Sequence, residues 1–104
     1  MKAFTPSLIL ALAALVAADS HLDSWSGSNC NSGDHLTWTA PPSHGPNTCK
    51  SVGNVKSIKV NDLGSGCTAT VYTDSNCSNN AKAARVGQCV QFSGKIGSFS
   101  VDCP

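Results

Sequence analysis

The chain contains no glutamate, and its single methionine is Met1. Without Glu, the acid–base chemistry of most glycosidases and of guanyl-type ribonucleases lacks the residue it leans on. Charge is scarce, at 12% of residues. Beyond Lys2, the cations Lys50, Lys56, Lys59, Lys82, Arg85 and Lys95 balance Asp19, Asp23, Asp34, Asp62, Asp74 and Asp102 one for one. A neutral balance removes the electrostatic case for nucleic acid or an anionic membrane. No apolar run after Ala18 is long enough to cross about 30 Å of hydrocarbon. Nor does any pair of cysteines show the short C-x₂₋₄-C spacing of a structural zinc site, although His21, His35 and His44 make metal worth weighing. A stable helix is missing too: Ala81–Arg85 is helix-prone, but so short a string without a cap does not nucleate.

What is present begins with a leader. Lys2 precedes an apolar run from Leu8 to Ala18 that closes Val16-Ala17-Ala18, the small-residue signature of signal-peptide cleavage. Residues 1–18 are therefore expected to be removed, leaving one secreted, extracellular domain, 19–104. Its six cysteines in a short secreted chain form a disulfide framework. With so few aromatics, the domain is expected to depend on those bridges.

The chain also matches itself. Trp25-Ser26-Gly27-Ser28-Asn29-Cys30 and Tyr72-Thr73-Asp74-Ser75-Asn76-Cys77 are both an aromatic, four spacers and the cysteine of an SNC tripeptide. A second cysteine follows in each copy, Cys49 and Cys89, and each copy closes on one pattern, Ser57-Ile58-Lys59-Val60 and Ser98-Phe99-Ser100-Val101. Small or polar residues alternating with apolar ones make strands with one buried face. Repeat 1 spans about 22–61 and repeat 2 about 67–103, joined by Asp62–Gly66. Six cysteines allow fifteen connectivities. The set that keeps each copy self-contained is Cys30–Cys49 and Cys77–Cys89, leaving Cys67–Cys103, which would join the first and last strands of the second copy.

Strands are expected near Leu22–Trp25, His35–Thr39, Thr48–Val52 and Val55–Asn61, and again near Thr68–Thr73, Ala81–Val86, Gln88–Phe92 and Gly97–Asp102. Core candidates are Trp25, Leu36, Trp38, Val55, Ile58, Val60, Val71, Tyr72, Val90, Phe92, Ile96, Phe99 and Val101. Ala40–Asn47, with three prolines and a glycine, reads as an extended surface loop, and Ser75–Asn80 as a turn. The expected fold class is all-β: a small disulfide-bridged β-sandwich of two Greek-key repeats.

These landmarks, aromatic-x₄-Cys and a final S-x-x-V strand twice over with a Gly-x-Cys strand in the second copy, resemble the βγ-crystallin-like Greek-key domains of small secreted microbial proteins. The second copy, VYTDSNCSNN…VGQCVQF…IGSFSVDC, also looks like the C-terminal half of many cysteine-rich secreted proteins of filamentous fungi. One departure concerns the turn, where Asn79 stands at the family's glycine; Asn tolerates positive φ better than most residues. Calcium-binding members carry N/D-N/D-x-x-S/T-S before each closing strand. Here Val52–Ser57 and Ser93–Ser98 stand there without the acid or amide pairs, so no metal or cofactor is expected.

Catalytic sets can be drawn on paper from Asp34-His35 or His21-x-Asp23 with a nearby serine. Neighbours on a strand point to opposite faces, however, so Asp34 and His35 are not expected to cooperate, and no enzymatic activity is expected. Asn76-Cys77-Ser78 is a glycosylation sequon, expected to go unused because Cys77 is bridged. The resemblance implies a secreted interaction protein, an effector or elicitor acting on a host, with a host or competitor extracellular component, protein or cell-wall glycan, as partner. A killer-toxin-like antimicrobial protein and a protease inhibitor using loop 40–47 are the alternatives. Candidate contact residues are Ser43, His44 and Asn47 in the proline-rich loop and Asp74 and Asn76 in the turn, placed at the two ends of the sandwich.

Overall fold

The computed structural model describes residues 18–42 and 48–104. The expected leader therefore lies outside the described residues except for Ala18. Among the described residues six strands form: β1 (Ser20–Trp25), β2 (His35–Ala40), β3 (Cys49–Asp62), β4 (Thr68–Tyr72), β5 (Lys82–Ala84) and β6 (Cys89–Asp102). They make one antiparallel sheet in the order β2-β1-β3-β6-β4-β5, to which Val86 adds an isolated parallel bridge with Val60 of β3.

That order reads the same from either end once β1 is matched to β4, β2 to β5 and β3 to β6. The register repeats the match. Trp25 lies opposite Ser57 and Leu22 opposite Val60, as Tyr72 lies opposite Ser98 and Ala69 opposite Val101. At the centre, Cys49 faces Ser100 and Ser51 faces Ser98, while Cys89 faces Lys59 and Gln91 faces Ser57. An approximate twofold axis thus passes between β3 and β6.

The segments expected as third and fourth strands of each copy are continuous. Thr48–Val52 and Val55–Asn61 merge into β3, and Gln88–Phe92 and Gly97–Asp102 into β6. Each copy therefore contributes three strands. Gly53 and Asn54, at φ 70° and 65°, bend β3 where its register with β6 shifts; they do not end it. The early half of β3 pairs with the late half of β6, and the late half of β3 with β1 and the early half of β6. The sheet folds over itself in a sandwich-like way, which brings Trp38 of β2 edge-on to Phe99 of β6 at 6.0 Å although two strands separate them in the sheet.

Between the layers lies one core of Leu22, Val52, Val55, Ile58, Val60, Ala69, Val71, Ala84, Val90, Ile96, Phe99 and Val101, with Cys67. Three core candidates are displaced, one of them Tyr72, which is only half-buried and stands outside the core cluster. On β1 the even positions Ser20, Leu22 and Ser24 are buried, so Trp25 faces outward against the ring of His35 at 4.9 Å. Leu36 sits at the sheet margin on β2 and is 53% exposed, because no strand lies beyond it. Leu22, Val52, Ala69 and Ala84 take up core positions in addition to the remaining candidates.

The bridges differ from the self-contained set. Cys30 joins Cys89 and Cys49 joins Cys77, correcting Cys30–Cys49 and Cys77–Cys89; Cys67 joins Cys103. The first cysteine of each copy is bonded to the second cysteine of the other, which also respects the twofold. The reason is the swapped pairing at the centre of the sheet: Cys49 starts β3 inside the layer built by the second copy, and Cys89 starts β6 inside the layer built by the first. With sequence separations of 59, 28 and 36, each bridge taken singly restricts the unfolded chain by about 4 kcal/mol in the chain-entropy model.

Candidate functional site

The two SNC turns are built alike, and a buried serine holds each. Ser57 Oγ accepts the Cys30 N–H at 2.9 Å and donates to the Gly27 carbonyl at 2.7 Å. Ser98 Oγ accepts the Cys77 N–H at 3.0 Å and donates to the Asp74 carbonyl at 2.6 Å. Both cysteines adopt left-handed backbone, φ 54° and 55°, so each turn curls back over its closing strand. The left-handed residue that ends each turn is Gly33 in the first and Asn80 in the second, φ 82° and 56°. Asn80, and not Asn79, therefore takes the left-handed place that Gly33 holds in the first turn.

Asp74, a contact candidate, has a structural task. Its carboxylate accepts the N–H groups of Asn79 at 2.8 Å, Ser78 at 3.0 Å and Asn76 at 3.1 Å. The hydrogen bonds from Asn79 and Ser78 hold its carboxyl below the usual aspartate range. Asn76 is exposed at the tip of the same turn. Ser43, His44 and Asn47 fall outside the described residues. The loop's exit is described, and it does not lie across the molecule from the turn: Cys49, just beyond the loop, is bonded to Cys77 within it. Thr48 Oγ1 donates to Asp102 Oδ1 at 2.8 Å, fixing that exit against the end of β6. The turn and the loop exit at Cys49 therefore lie together.

A second polar surface covers the outer face of β1, β2 and β3. Asp23, at its centre, receives Thr37 Oγ1 at 3.0 Å and Asn61 Nδ2 at 2.6 Å and lies 3.1 Å from His35 Nε2. Burial pushes its carboxyl up, but the bonds from Asn61, His35 and Thr37 outweigh it, and the group sits below the ordinary range. Farther along, His21 Nδ1 meets Asp62 Oδ1 at 2.8 Å, and this bond holds the imidazole above its usual pKa. The paper pairings are thus redistributed: His35 goes to Asp23 and not Asp34, and His21 to Asp62 and not Asp23. Among the described residues no serine hydroxyl is hydrogen-bonded to a histidine, and no group of three or more His, Cys or Asp side chains is placed to hold a metal ion.

The sequence reading missed Ser57 and Ser98 as determinants of the turns, and missed the Asp23 network. The first had a signal, the serine that opens S-x-x-V in both copies. The second had only the odd-numbered polar positions of β1. Comparison with protein-family models, with curated proteins and with solved structures finds no match to this chain.

Proposed function

We propose that the chain is a secreted, non-enzymatic interaction protein, an effector or elicitor of fungal type that acts by binding a host or competitor component outside the cell. The observation that carries this reading is the Cys49–Cys77 bridge. It ties the exit of a proline-rich loop to a polar turn already fixed by Asp74 and Ser98, and so holds exposed Cys49 beside the exposed turn residues Ser75 and Asn76. Preorganisation of that kind lowers the ordering cost of binding. Three bridges in so small a domain are compatible with an extracellular location.

The same reading takes the fold as a βγ-crystallin-like double Greek key. Supporting it, the late half of β3 returns beside β1 while its early half crosses into the other copy's layer. The two halves of each long strand then stand for the third and fourth strands of a Greek key.

Pull-down with the protein from host extracellular fluid, set against a microbial cell-wall fraction, tests the function. The triple replacement Ser43→Ala, His44→Ala and Asn47→Ala should abolish capture at an unchanged melting temperature. Capture that survives the triple replacement moves the contact away from the loop. Capture from the cell-wall fraction alone supports an antimicrobial role.

A further inference from the structure

We propose that Asn76 is an acceptor for an N-linked glycan. The inference rests on the secreted reading above, because the donor is met in the eukaryotic secretory pathway.

Asn76-Cys77-Ser78 has the required N-x-S spacing. Bridging of Cys77 does not shield it. The Cys77 N–H points to Ser98 Oγ beneath the turn and its sulfur joins Cys49, while Asn76 and Ser78 stand exposed on either side. Ser78 Oγ donates to the Asn76 carbonyl at 3.2 Å, which keeps the sequon hydroxyl over the acceptor residue. The turn needs nothing from the Asn76 side chain, since the Asp74 carboxylate gathers its N–H groups.

The first copy provides the control. Asn29 holds the place of Asn76, but its Oδ1 accepts Gln91 Nε2 at 3.1 Å and its N–H donates to Gln91 Oε1 at 2.9 Å. Gln91 lies opposite Ser57; opposite Ser98 the twofold places Ser51. A serine is too short to make that clamp, so the Asn76 amide is left to solvent. Asn29-Cys30-Asn31 also lacks the hydroxyl residue and is no sequon.

In the transfer, Asn76 Nδ2 bonds to the anomeric carbon of a lipid-linked oligosaccharide. The bond from that carbon to the lipid diphosphate breaks, the diphosphate leaves with the electron pair, and Nδ2 loses one proton. The glycan would rise from the surface proposed for contact, making its turn side saccharide and leaving polypeptide contact to the loop side.

The test is expression of the full chain in a yeast secretory host. Protein from the medium should exceed its polypeptide mass, and peptide-N-glycosidase should remove the excess while leaving aspartate at position 76. Asn76→Gln and, independently, Ser78→Ala should each abolish the excess mass, whereas Asn29→Gln should keep it. Secreted protein at its bare polypeptide mass would overturn the proposal and leave the secreted reading intact. Bare protein kept inside the cell with residues 1–18 attached would overturn both.

Discussion

At the residue scale, the twin serines do the most with the least. Ser57 and Ser98 are fully buried, and each hydroxyl serves one donor and one acceptor of the turn above it. Ser98→Ala would leave the Cys77 N–H and the Asp74 carbonyl without their partner, a loss of about 1–3 kcal/mol. Ser57→Ala should cost a similar amount at the other turn. Urea denaturation measures both, and a variant that unfolds at the wild-type midpoint would show that the hydroxyl does not hold the turn. The serine that opens S-x-x-V in both copies marks their place in the sequence, but not what they hold, because the partners arrive from a turn 21 to 30 residues away. Charge acts at this scale too. Asp23 and Asp74 have carboxyls held below the ordinary range, so their stabilisation is complete above the unfolded aspartate pKa and is lost as pH falls through the lower folded value. For His21, held high by Asp62, the sign reverses: its contribution is complete below the unfolded histidine pKa and fades as pH rises through the folded one. The melting temperature should therefore fall on acidification, and Asp74→Asn should flatten that acid limb. An acid limb as steep in the variant as in the parent would remove Asp74 from the account.

At the element scale, alternation located the strands well, and β1, β2 and β4 begin and end within two residues of where the pattern puts them. The merging of segments into β3 and β6 was not legible. Val52-Gly53-Asn54-Val55 carries turn residues, and a left-handed pair between two apolar runs usually closes a hairpin. Here the same φ values bend a strand whose two halves find partners in different layers, a choice made by long-range pairing and not by the tetrapeptide. Two glycines separate these effects. Gly53 has a left-handed φ of +70° with nothing near its missing Cβ, so Gly53→Ala should cost about 1–2 kcal/mol in backbone strain alone. A Cβ on Gly97 would lie 2.6 Å from the Asp74 carbonyl carbon and oxygen, which forces turn and strand apart at a cost of about 1–3 kcal/mol. Gly97→Ala should also weaken the turn itself, seen as faster amide exchange at Asn76, Ser78 and Asn79. Exchange unchanged there, in a folded variant, would mean that the close approach is not what seats the turn.

At the scale of the whole molecule, the paired landmarks were legible and the way the bridges join them was not. Paired landmarks in the two copies show that equivalent cysteines exist, yet two pairings respect a twofold equally, within each copy or across it. Only the exchange of half-strands between the layers decides for the crossed one. The consequence is covalent. With Cys30–Cys89 and Cys49–Cys77, cutting the chain between the copies leaves the halves joined, whereas bridges confined to each copy would let them part. The chain beyond Met1 contains no methionine, so Leu63→Met in the linker creates one internal site for cyanogen bromide. Leu63 packs at the edge of the core, and an exchange of Leu for Met usually costs less than about 1.5 kcal/mol, so the variant should fold and oxidise as the parent does. Cleaved in acid without reductant, it should run as one species, and reduction should then split it into two fragments. Two fragments before reduction would show that the bridges close within the copies, and would remove with them the Cys49–Cys77 weld on which the proposed contact surface depends.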